Sequence, residues 1–382
     1  MELFLGIIIG LIVLVILIVL HELGHALVAM RNGVVVEEFG IGFPPRAWKK
    51  RLKNGVLFTL NWLPLGGFVR LKGEYDSATG EGTYGGASFW VKTKILVAGV
   101  VVNWVTAVLL FTILLLVGMP KMLENQVTLP FDTTVNRSEL TIARVTPSSP
   151  ADKAGLKAGD NILSIGKSNV QTPQELIDQT KASAGQTVEI NFIRDGSPET
   201  KTVTLNTQEQ AVNRGFLGVA PQQSETVHST WSAPILGVAT AGQLTYETFK
   251  GVGSLIYNGI TGFFGQFFGS DESRQEAKQN LETVGDSVAG PIGILGVLFP
   301  SMVSAGPVQV LLLAGIISLT LAVMNFLPIP ALDGGRWWTM AGFRLFRKKL
   351  TKEREENIQA TGFLILMALT ILVTWNDIGR FF

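Results

Sequence analysis

The chain has no cysteine among its 382 residues and only three histidines. Disulfides, thiolate metal ligands and cysteine nucleophiles are therefore excluded, so any metal site must use His, Asp or Glu. Charged residues are also scarce, at 16% of the chain against 47% hydrophobic residues, and the formal net charge is only +1. This composition predicts a membrane protein rather than a soluble globular one. It also argues against nucleic acid as a partner.

The stretch Leu3–Met30 is apolar except for His21, Glu22 and His25 near its end. It is long enough to cross a bilayer as a helix, and we interpret it as a retained span rather than a signal peptide. Ionisable groups at membrane depth are costly and usually functional. His21 and His25 are four residues apart, so both rings lie on one helix face and can bind one metal, while Glu22 can take a proton from a metal-bound water. A histidine pair packed in a helix bundle is the alternative interpretation.

Three further apolar stretches have about the length of a span, at Ile95–Met119, Val310–Leu327 and Thr361–Thr374. Asn103 interrupts the second of them, and we interpret it as an interhelical hydrogen-bonding residue. Ala233–Phe268 is apolar with one narrow polar stripe, which favours an interfacial amphipathic helix over a further span. The predicted segments are the spans 1–30, 95–120, 306–335 and 359–376, an interfacial helix 233–268, a loop 269–305 that includes GPIG, and a basic segment 336–358.

The polar segment 31–94 contains two strand-like pieces, Val56–Trp62 and Phe68–Lys72, with the sequence LPLGG between them. This pattern predicts a β-hairpin made by these two pieces. Gly66 and Gly67 in the connection allow another backbone to approach closely.

The region 121–232 has the character of a small soluble α/β domain. Strands are predicted at Thr141–Val145, Ile162–Ile165, Thr187–Arg194 and Lys201–Leu205, with helices starting at Pro150 and at Pro173. Its sequence SPADKAGLKAGDNILSIG resembles the core signature of a bacterial PDZ domain, covering about 141–220. PDZ domains bind extended peptide at a sheet edge. A purely steric plug is the alternative role.

The third span runs into the sequence NFLPIPALDGG, in which two prolines break the helix just before Asp333. Irregular backbone near membrane depth is tolerated where it lines a cavity or is buried in protein. A catalytic zinc usually has three protein ligands and one open position. Asp333 is therefore the expected third ligand, whereas His228, in the soluble region, is expected to be an ordinary surface or linker histidine.

Together, HELGH in the first span and NFLPIPALDGG at the third resemble the site-two protease family of intramembrane zinc metalloproteases, specifically its regulator-of-sigma-E type with a single PDZ domain. The resemblance implies Zn²⁺ bound by His21, His25 and Asp333, with Glu22 activating water. It also implies substrate contacts at Asn325, Pro328 and Pro330, and at the hairpin residues Gly66 and Gly67. The implied substrates are single-span membrane proteins, such as anti-sigma factors trimmed by a site-one-type protease, or signal-peptide remnants.

The resemblance, with these patterns, predicts a multi-pass α-helical membrane protein of about four spans, with an inserted PDZ domain and a cytoplasmic-side β-hairpin. Lys and Arg exceed Asp and Glu in 31–94 and 336–354, which places both segments in the cytoplasm. The PDZ-like region is then outside, in a bacterial inner membrane, with the active site toward the cytoplasm. A metal transporter and an inactive membrane-anchored PDZ adaptor are the rival functions.

Overall fold

The computed structural model describes residues 2–212, 215–268, 275, 278–279 and 289–381. The chain divides into two compact units. The larger unit comprises Met1–Val117, Gln126–Leu129 and Thr230–Phe382, and the smaller unit comprises Gly118–Asn125 and Pro130–Ser229.

Two long apolar helices begin the larger unit, α1 (Glu2–Arg31) and, after a β-sheet, α2 (Phe89–Val117). Both are long and apolar enough to cross a membrane, as predicted. They approach closely at Gly24 of α1, where a Cβ atom would lie 2.9 Å from the Val102 side chain. Each helix starts or ends a few residues outside its predicted bounds.

Strands β1 (Val36–Arg51) and β2 (Leu57–Leu71) pair antiparallel between these helices. The first half of β1 has partners on two sides, since Phe39 is aligned with both Val69 and Phe58. The predicted pairing of Val56–Trp62 with Phe68–Lys72 is therefore wrong, because β1 lies between the two pieces and LPLGG is part of β2.

The reason is local composition. The β1 sequence EEFGIG contains two acids and two glycines, residue types with low strand propensity. The buried Glu38 carboxylate is nevertheless satisfied in the sheet, because it accepts hydrogen bonds from Arg46 at 2.9 Å and Thr59 at 3.0 Å.

The smaller unit contains two sheets. The first has the order β10-β5-β6-β8-β9, with β7 paired to β6, and the second has the order β3-β11-β4. The strands are β3 (Met119–Pro120), β4 (Thr134–Arg137), β5 (Thr141–Val145), β6 (Asn161–Ile165), β7 (Ser168–Asn169), β8 (Thr187–Arg194), β9 (Ser197–Thr204), β10 (Val219–Gln222) and β11 (Glu225–His228). The four predicted strands correspond to β5, β6, β8 and β9, whereas the second sheet and β10 were not predicted.

Two short helices, α3 (Pro150–Lys153) and α4 (Pro173–Ala182), complete this unit, and each starts at the predicted proline. The Ser149 and Thr172 side chains cap them by accepting backbone N–H bonds. The buried Asp160 accepts two bonds from Arg194, at 2.6 and 2.7 Å. Burial alone would raise the pKa of Asp160, but the Arg194 bonds and the Lys157 N–H lower it below its usual range.

The chain returns to the larger unit with α5 (Ala233–Phe268), a helix of 36 residues. Its first half packs on α2, and Trp104 Nε1 donates to Thr245 Oγ1 at 3.2 Å. Among the described helices, α5 is not one of the four that are apolar enough to span a membrane. Its interfacial placement stays a prediction.

The helix α6 (Pro291–Ala305) is apolar and has a π-helical turn at Ile294–Leu298. The predicted loop 269–305 is therefore wrong for this part, while 269–274, 276–277 and 280–288 lie outside the described residues. Pro300 of this helix packs onto Gly6 of α1 and Phe299 onto Gly10, a tertiary contact that local sequence does not reveal. Asp377 accepts the N–H of Gly293 at 2.7 Å at the start of α6.

Three helices end the larger unit, α7 (Pro307–Phe326), α8 (Asp333–Leu345) and α9 (Lys352–Phe381). The segments α7 and Lys352–Gly379 of α9 complete the four candidate spans. Most of the predicted basic segment 336–358 is helical, shared between α8 and the first turns of α9. The helices α2 and α7 pack closely where the buried Phe111 ring lies against Gly315.

Candidate metal centre

Three side chains from two distant parts of the chain meet at the end of α1. His21 and His25 lie in its last turns and are 7% and 6% exposed. Asp333 is the first residue of α8, directly after the proline-rich break that follows α7. One ligand atom from each residue lies within 4.8 Å of the others. The predicted approach of Asp333 to the histidine pair is thus present in the fold.

The distances between these atoms suit one tetrahedral metal ion. His21 Nε2 and His25 Nε2 lie 3.0 and 3.1 Å from Asp333 Oδ2, and the two Nε2 atoms lie 3.1 Å apart. Tetrahedral zinc with bonds of about 2.0–2.1 Å separates its ligand atoms by about 3.3 Å. The observed triangle is within a few tenths of an ångström of that value.

The backbone carbonyl of Ile95 determines which nitrogen of His25 carries hydrogen. His25 Nδ1 lies 2.7 Å from Ile95 O, and a carbonyl oxygen only accepts, so Nδ1 carries the hydrogen. In the neutral ring, Nε2 then presents a lone pair to Asp333 Oδ2. Two acceptors this close need a cation between them, either a proton or a metal ion. Two imidazoles and one carboxylate form a donor set that zinc hydrolases use.

Glycines give the three ligands the room to converge. A Cβ atom on Gly99 of α2 would overlap both imidazole rings. A Cβ on Gly334 would overlap the carbonyls of Phe326 and Leu327, and one on Gly335 would overlap Ile329. The chain after Asp333 can therefore turn back on itself only with glycine at these positions.

Glu22 lies between the histidine pair and the sheet. The Val69 N–H of β2 donates to Glu22 Oε2 at 3.0 Å. Gly67 is also adjacent, since a Cβ there would lie 3.7 Å from Glu22 Cγ. Of the two predicted hairpin contacts, Gly67 is therefore placed beside Glu22, whereas Gly66 faces the Phe43 ring.

Asn103 also belongs to this centre, although its position in an apolar span predicted only a role in helix packing. Its side chain is fully buried, and Nδ2 lies 3.3 Å from His21 Nδ1. Among the described residues, Asn103 Oδ1 is without a hydrogen-bond partner. Rotating the amide by 180° brings Oδ1 to His21 Nδ1–H, which leaves His21 Nε2 for a metal. The only signal in the sequence was a polar residue inside an apolar span.

The other predicted site residues separate into two groups. Asn325 and Asp333 line one cavity, and Asn325 Nδ2 donates to Leu321 O at 3.0 Å. Pro330 packs instead against Gly362 of α9, and Pro328 lies in the break between α7 and α8. His228 is the last residue of β11, in the smaller unit, and is not one of the three grouped ligands.

Known proteins match this chain over nearly its whole length. The profile of peptidase family M50 matches residues 9–369. A protein of Clostridium acetobutylicum named as a zinc metalloprotease is 29% identical over 378 residues, covering 98% of both chains. Zinc metalloprotease RasP of Geobacillus kaustophilus is 26% identical over 447 residues, covering 96% of both.

A solved structure, the PDZ domain of an SdrC-like protein of Listeria monocytogenes, is 26% identical to part of the chain. It covers 22% of this chain and 86% of its own, with a TM-score of 0.19, which is too low for a conclusion about this fold.

The chain belongs to peptidase family M50, the site-two protease family. It is a zinc-dependent metalloprotease, and its four long apolar helices make it a membrane protein. The resemblance noted in the sequence is thereby confirmed at the level of the family.

Proposed function

We propose that this protein is an intramembrane zinc endopeptidase, with His21, His25 and Asp333 as zinc ligands and Glu22 as general base. The observation that carries the proposal is the triangle of ligand atoms at the end of α1, a helix long enough to span a membrane. Two buried imidazoles and a carboxylate, with His25 Nδ1 bonded to Ile95 O and its Nε2 directed at Asp333 Oδ2, fit zinc. When bound, zinc supplies Lewis acidity to the peptide carbonyl and lowers the pKa of water.

The chain's own residues perform the remaining work. Glu22 accepts the proton of the attacking water and passes it to the leaving amine. Ile95 O and Asn103 orient the two imidazoles through their Nδ1 atoms, as outer-sphere partners do in zinc enzymes. The rings are buried, which excludes other water from the ligands. Glu22 is held meanwhile by the Val69 N–H.

The proposed substrates are single-span membrane proteins, including anti-sigma-factor-like proteins trimmed by a site-one-type protease and signal-peptide remnants. A substrate helix hides its carbonyls in its own hydrogen bonds, so it must unwind before attack. The segment of β2 around Gly67 adjoins Glu22 and offers strand backbone to an unwound peptide. Asn325 beside Asp333 is a second proposed contact. The PDZ-like domain, outside an inner membrane, would select or gate these substrates.

One set of variants tests the four central roles. Glu22→Gln keeps the shape of the side chain but cannot accept a proton, so zinc content should stay while cleavage falls by about 10²–10⁴-fold. His21→Ala, His25→Ala and Asp333→Ala each remove a ligand, so zinc and cleavage should fall together. His228→Ala, which belongs to the smaller unit, is the control and should change neither. Metal analysis of each purified variant measures its zinc content, and a cleavage assay measures its activity.

The same experiment separates the rival functions. An inactive adaptor would give no cleavage in the zinc-loaded wild type. A metal transporter would likewise give no cleavage in the zinc-loaded wild type. Full zinc and normal turnover in Asp333→Ala would disprove the three-ligand site.

A further inference from the structure

A cavity of about 200 Å³ borders Asp333 on the side formed by α2, α7 and α8. Its walls include Leu96, Val97 and Val100 of α2, Phe326 of α7, and Trp337 and Trp338 of α8. Asp333 also belongs to the lining, and its Oδ2 atom lies 3.0 Å from His21 Nε2. The cavity is therefore directly adjacent to the proposed metal ligands.

Apart from Asp333, whose Oδ2 atom lies against the two histidines, the polar side chains of this wall are those of Thr93 and Asn325. Thr93 Oγ1 already accepts a bond from Trp337 Nε1 at 3.0 Å, and Asn325 Nδ2 already donates to Leu321 O. A charged or amide side chain placed there would lose water without gaining equivalent partners. An apolar side chain would gain free energy in proportion to the area it buries.

The cavity has a route to the outside of the helix bundle. Phe326 and Trp338 are 48% and 50% exposed, so two of its wall residues also reach the protein surface. Val97 and Val100 are half-buried on the α2 side. A segment reaching the ligands past these residues can place one side chain in the cavity while its backbone stays at Asp333.

We propose that this cavity is the specificity pocket of the peptidase and takes a large apolar side chain, such as Leu, Met or Phe, next to the cleaved bond. The inference rests on the proposed peptidase function. A pocket of this size holds one such side chain. One methylene in an apolar enzyme pocket changes specificity by about 10–200-fold, so Leu or Phe should be preferred over Ala by at least about tenfold.

The variant Val97→Phe tests the pocket by filling it from the α2 wall. Val105→Phe is the matched control, because Val105 lies further along the same helix, is 43% exposed and is not part of this lining. The substrate is a synthetic peptide with one Ala/Leu-rich span weakened by a central pair of glycines. Mass spectrometry of the products locates the cleaved bond, and Ala, Leu or Phe is then placed at each flanking position.

At one of the two positions, wild type and Val105→Phe should cleave the Leu and Phe peptides at least about tenfold faster than the Ala peptide. Val97→Phe should keep its zinc and cleave the Leu and Phe peptides no faster than the Ala peptide. A Val97→Phe protein that cleaves all three peptides with the wild-type preference would overturn the proposal. An equal loss on all three peptides at full zinc would also overturn it.

A binding measurement makes the result independent of turnover. Photo-leucine is placed at successive positions of the peptide span and crosslinked to full-length zinc-loaded Glu22→Gln protein. Crosslinks should map to Leu96, Val97, Val100, Phe326 or Trp338 from one peptide position and disappear in the Val97→Phe background. Crosslinks that form only elsewhere would overturn the pocket. Pocket crosslinks without any cleavage by the wild type would instead disprove the proposed peptidase function.

Discussion

At the scale of single residues, Asn103 is buried in α2 and approaches His21 from the side opposite the ligand atoms. Its own backbone carbonyl accepts a bond from Ser318 Oγ at 2.8 Å, which holds this part of α2 against α7. The side chain of Asn103 therefore contacts His21, while its backbone carbonyl takes part in helix packing. The helix-packing role predicted from sequence describes only the second of these functions.

We expect Asn103→Ala to weaken zinc binding by about 10–100-fold, because partners of metal-bound histidines contribute effects of this size. The residual enzyme should keep its zinc stoichiometry at saturating metal and its fold. Ser318→Ala is the control, since it removes the bond to the Asn103 backbone without touching His21. Titration of the purified apoproteins with zinc against a competing chelator measures both affinities. Unchanged affinity in Asn103→Ala would show that Nδ1 of His21 needs no protein partner.

At the scale of elements, α9 contacts the segment just before Asp333 and the first turn of α8. The Ala331 N–H donates to Gln359 Oε1 at 2.6 Å, and Arg336 Nε donates to Glu355 Oε1 at 3.2 Å. Gly362 lets the helix lie directly on Pro330, where a Cβ atom would overlap the proline. The last helix therefore positions a metal ligand that it does not itself contribute.

Gly362→Ala should push α9 away from Pro330 and reduce both zinc affinity and cleavage. The control is Gly379→Ala in the same helix, because among the described residues no atom outside the neighbouring backbone of that helix lies within 4 Å of the added Cβ. This control should bind zinc and cleave as the wild type does. Wild-type zinc affinity in Gly362→Ala would mean that the loop keeps its conformation without α9.

The elements themselves were predictable in unequal measure. The metal-site sequences HELGH and LDG were predictable because polar groups are costly in apolar spans and are therefore easy to recognise. The strands β5, β6, β8 and β9 were predictable because turn residues lie at their ends. The position of β1 between the two halves of β2 could not be predicted, because the β1 sequence is rich in glycine and acidic residues, which are uncommon in strands. The helix α6 was not predicted, and its packing partners Gly6 and Gly10 lie almost three hundred residues earlier in the chain. Asn103 stood out as a polar residue in an apolar span, but its contact with His21 could not be predicted, because no local sequence pattern links α2 to His21.

At the scale of the whole molecule, the orientation of the loops determines toward which side of the membrane the metal ligands lie. The basic segments 31–94 and 336–354 lie in the cytoplasm if the charge bias of short loops sets orientation. The smaller unit then lies outside. Since the chain has no cysteine, single introduced cysteines can report each side without background.

We expect Ser197→Cys, at the exposed start of β9, to react with a membrane-impermeant thiol reagent in spheroplasts. Ser77→Cys, exposed in the segment between β2 and α2, should react only after the membrane is opened. Equal labelling of both after lysis is the control for accessibility. Reaction of Ser77→Cys alone in closed cells would reverse the orientation and place α1 with its ligands toward the outside.

The larger sheet of the smaller unit can be deleted at two chain positions that lie next to each other. The Ser138 N–H donates to Ser224 O at 2.8 Å, and Gln223 Nε2 donates to Ser138 O at 2.9 Å. The segment between them, residues 139–222, contains β5 to β10 and their apolar core. Because its two ends are joined in this way, deletion of 139–222 should leave the sheet β3-β11-β4 in place.

Without residues 139–222, the protein should keep its zinc and cleave a short pre-trimmed single-span substrate at about the wild-type rate, since every proposed ligand and the general base belong to the larger unit. An untrimmed substrate distinguishes the two roles of the PDZ-like domain. Faster cleavage than in the wild type indicates a gate that excludes bulky substrates, whereas slower cleavage indicates a domain that recruits them by binding peptide. Glu22→Gln in the same deletion background is the control and should abolish both activities. Loss of all cleavage by a folded, zinc-loaded deletion variant would contradict a selective role and assign the domain to the structure of the enzyme instead.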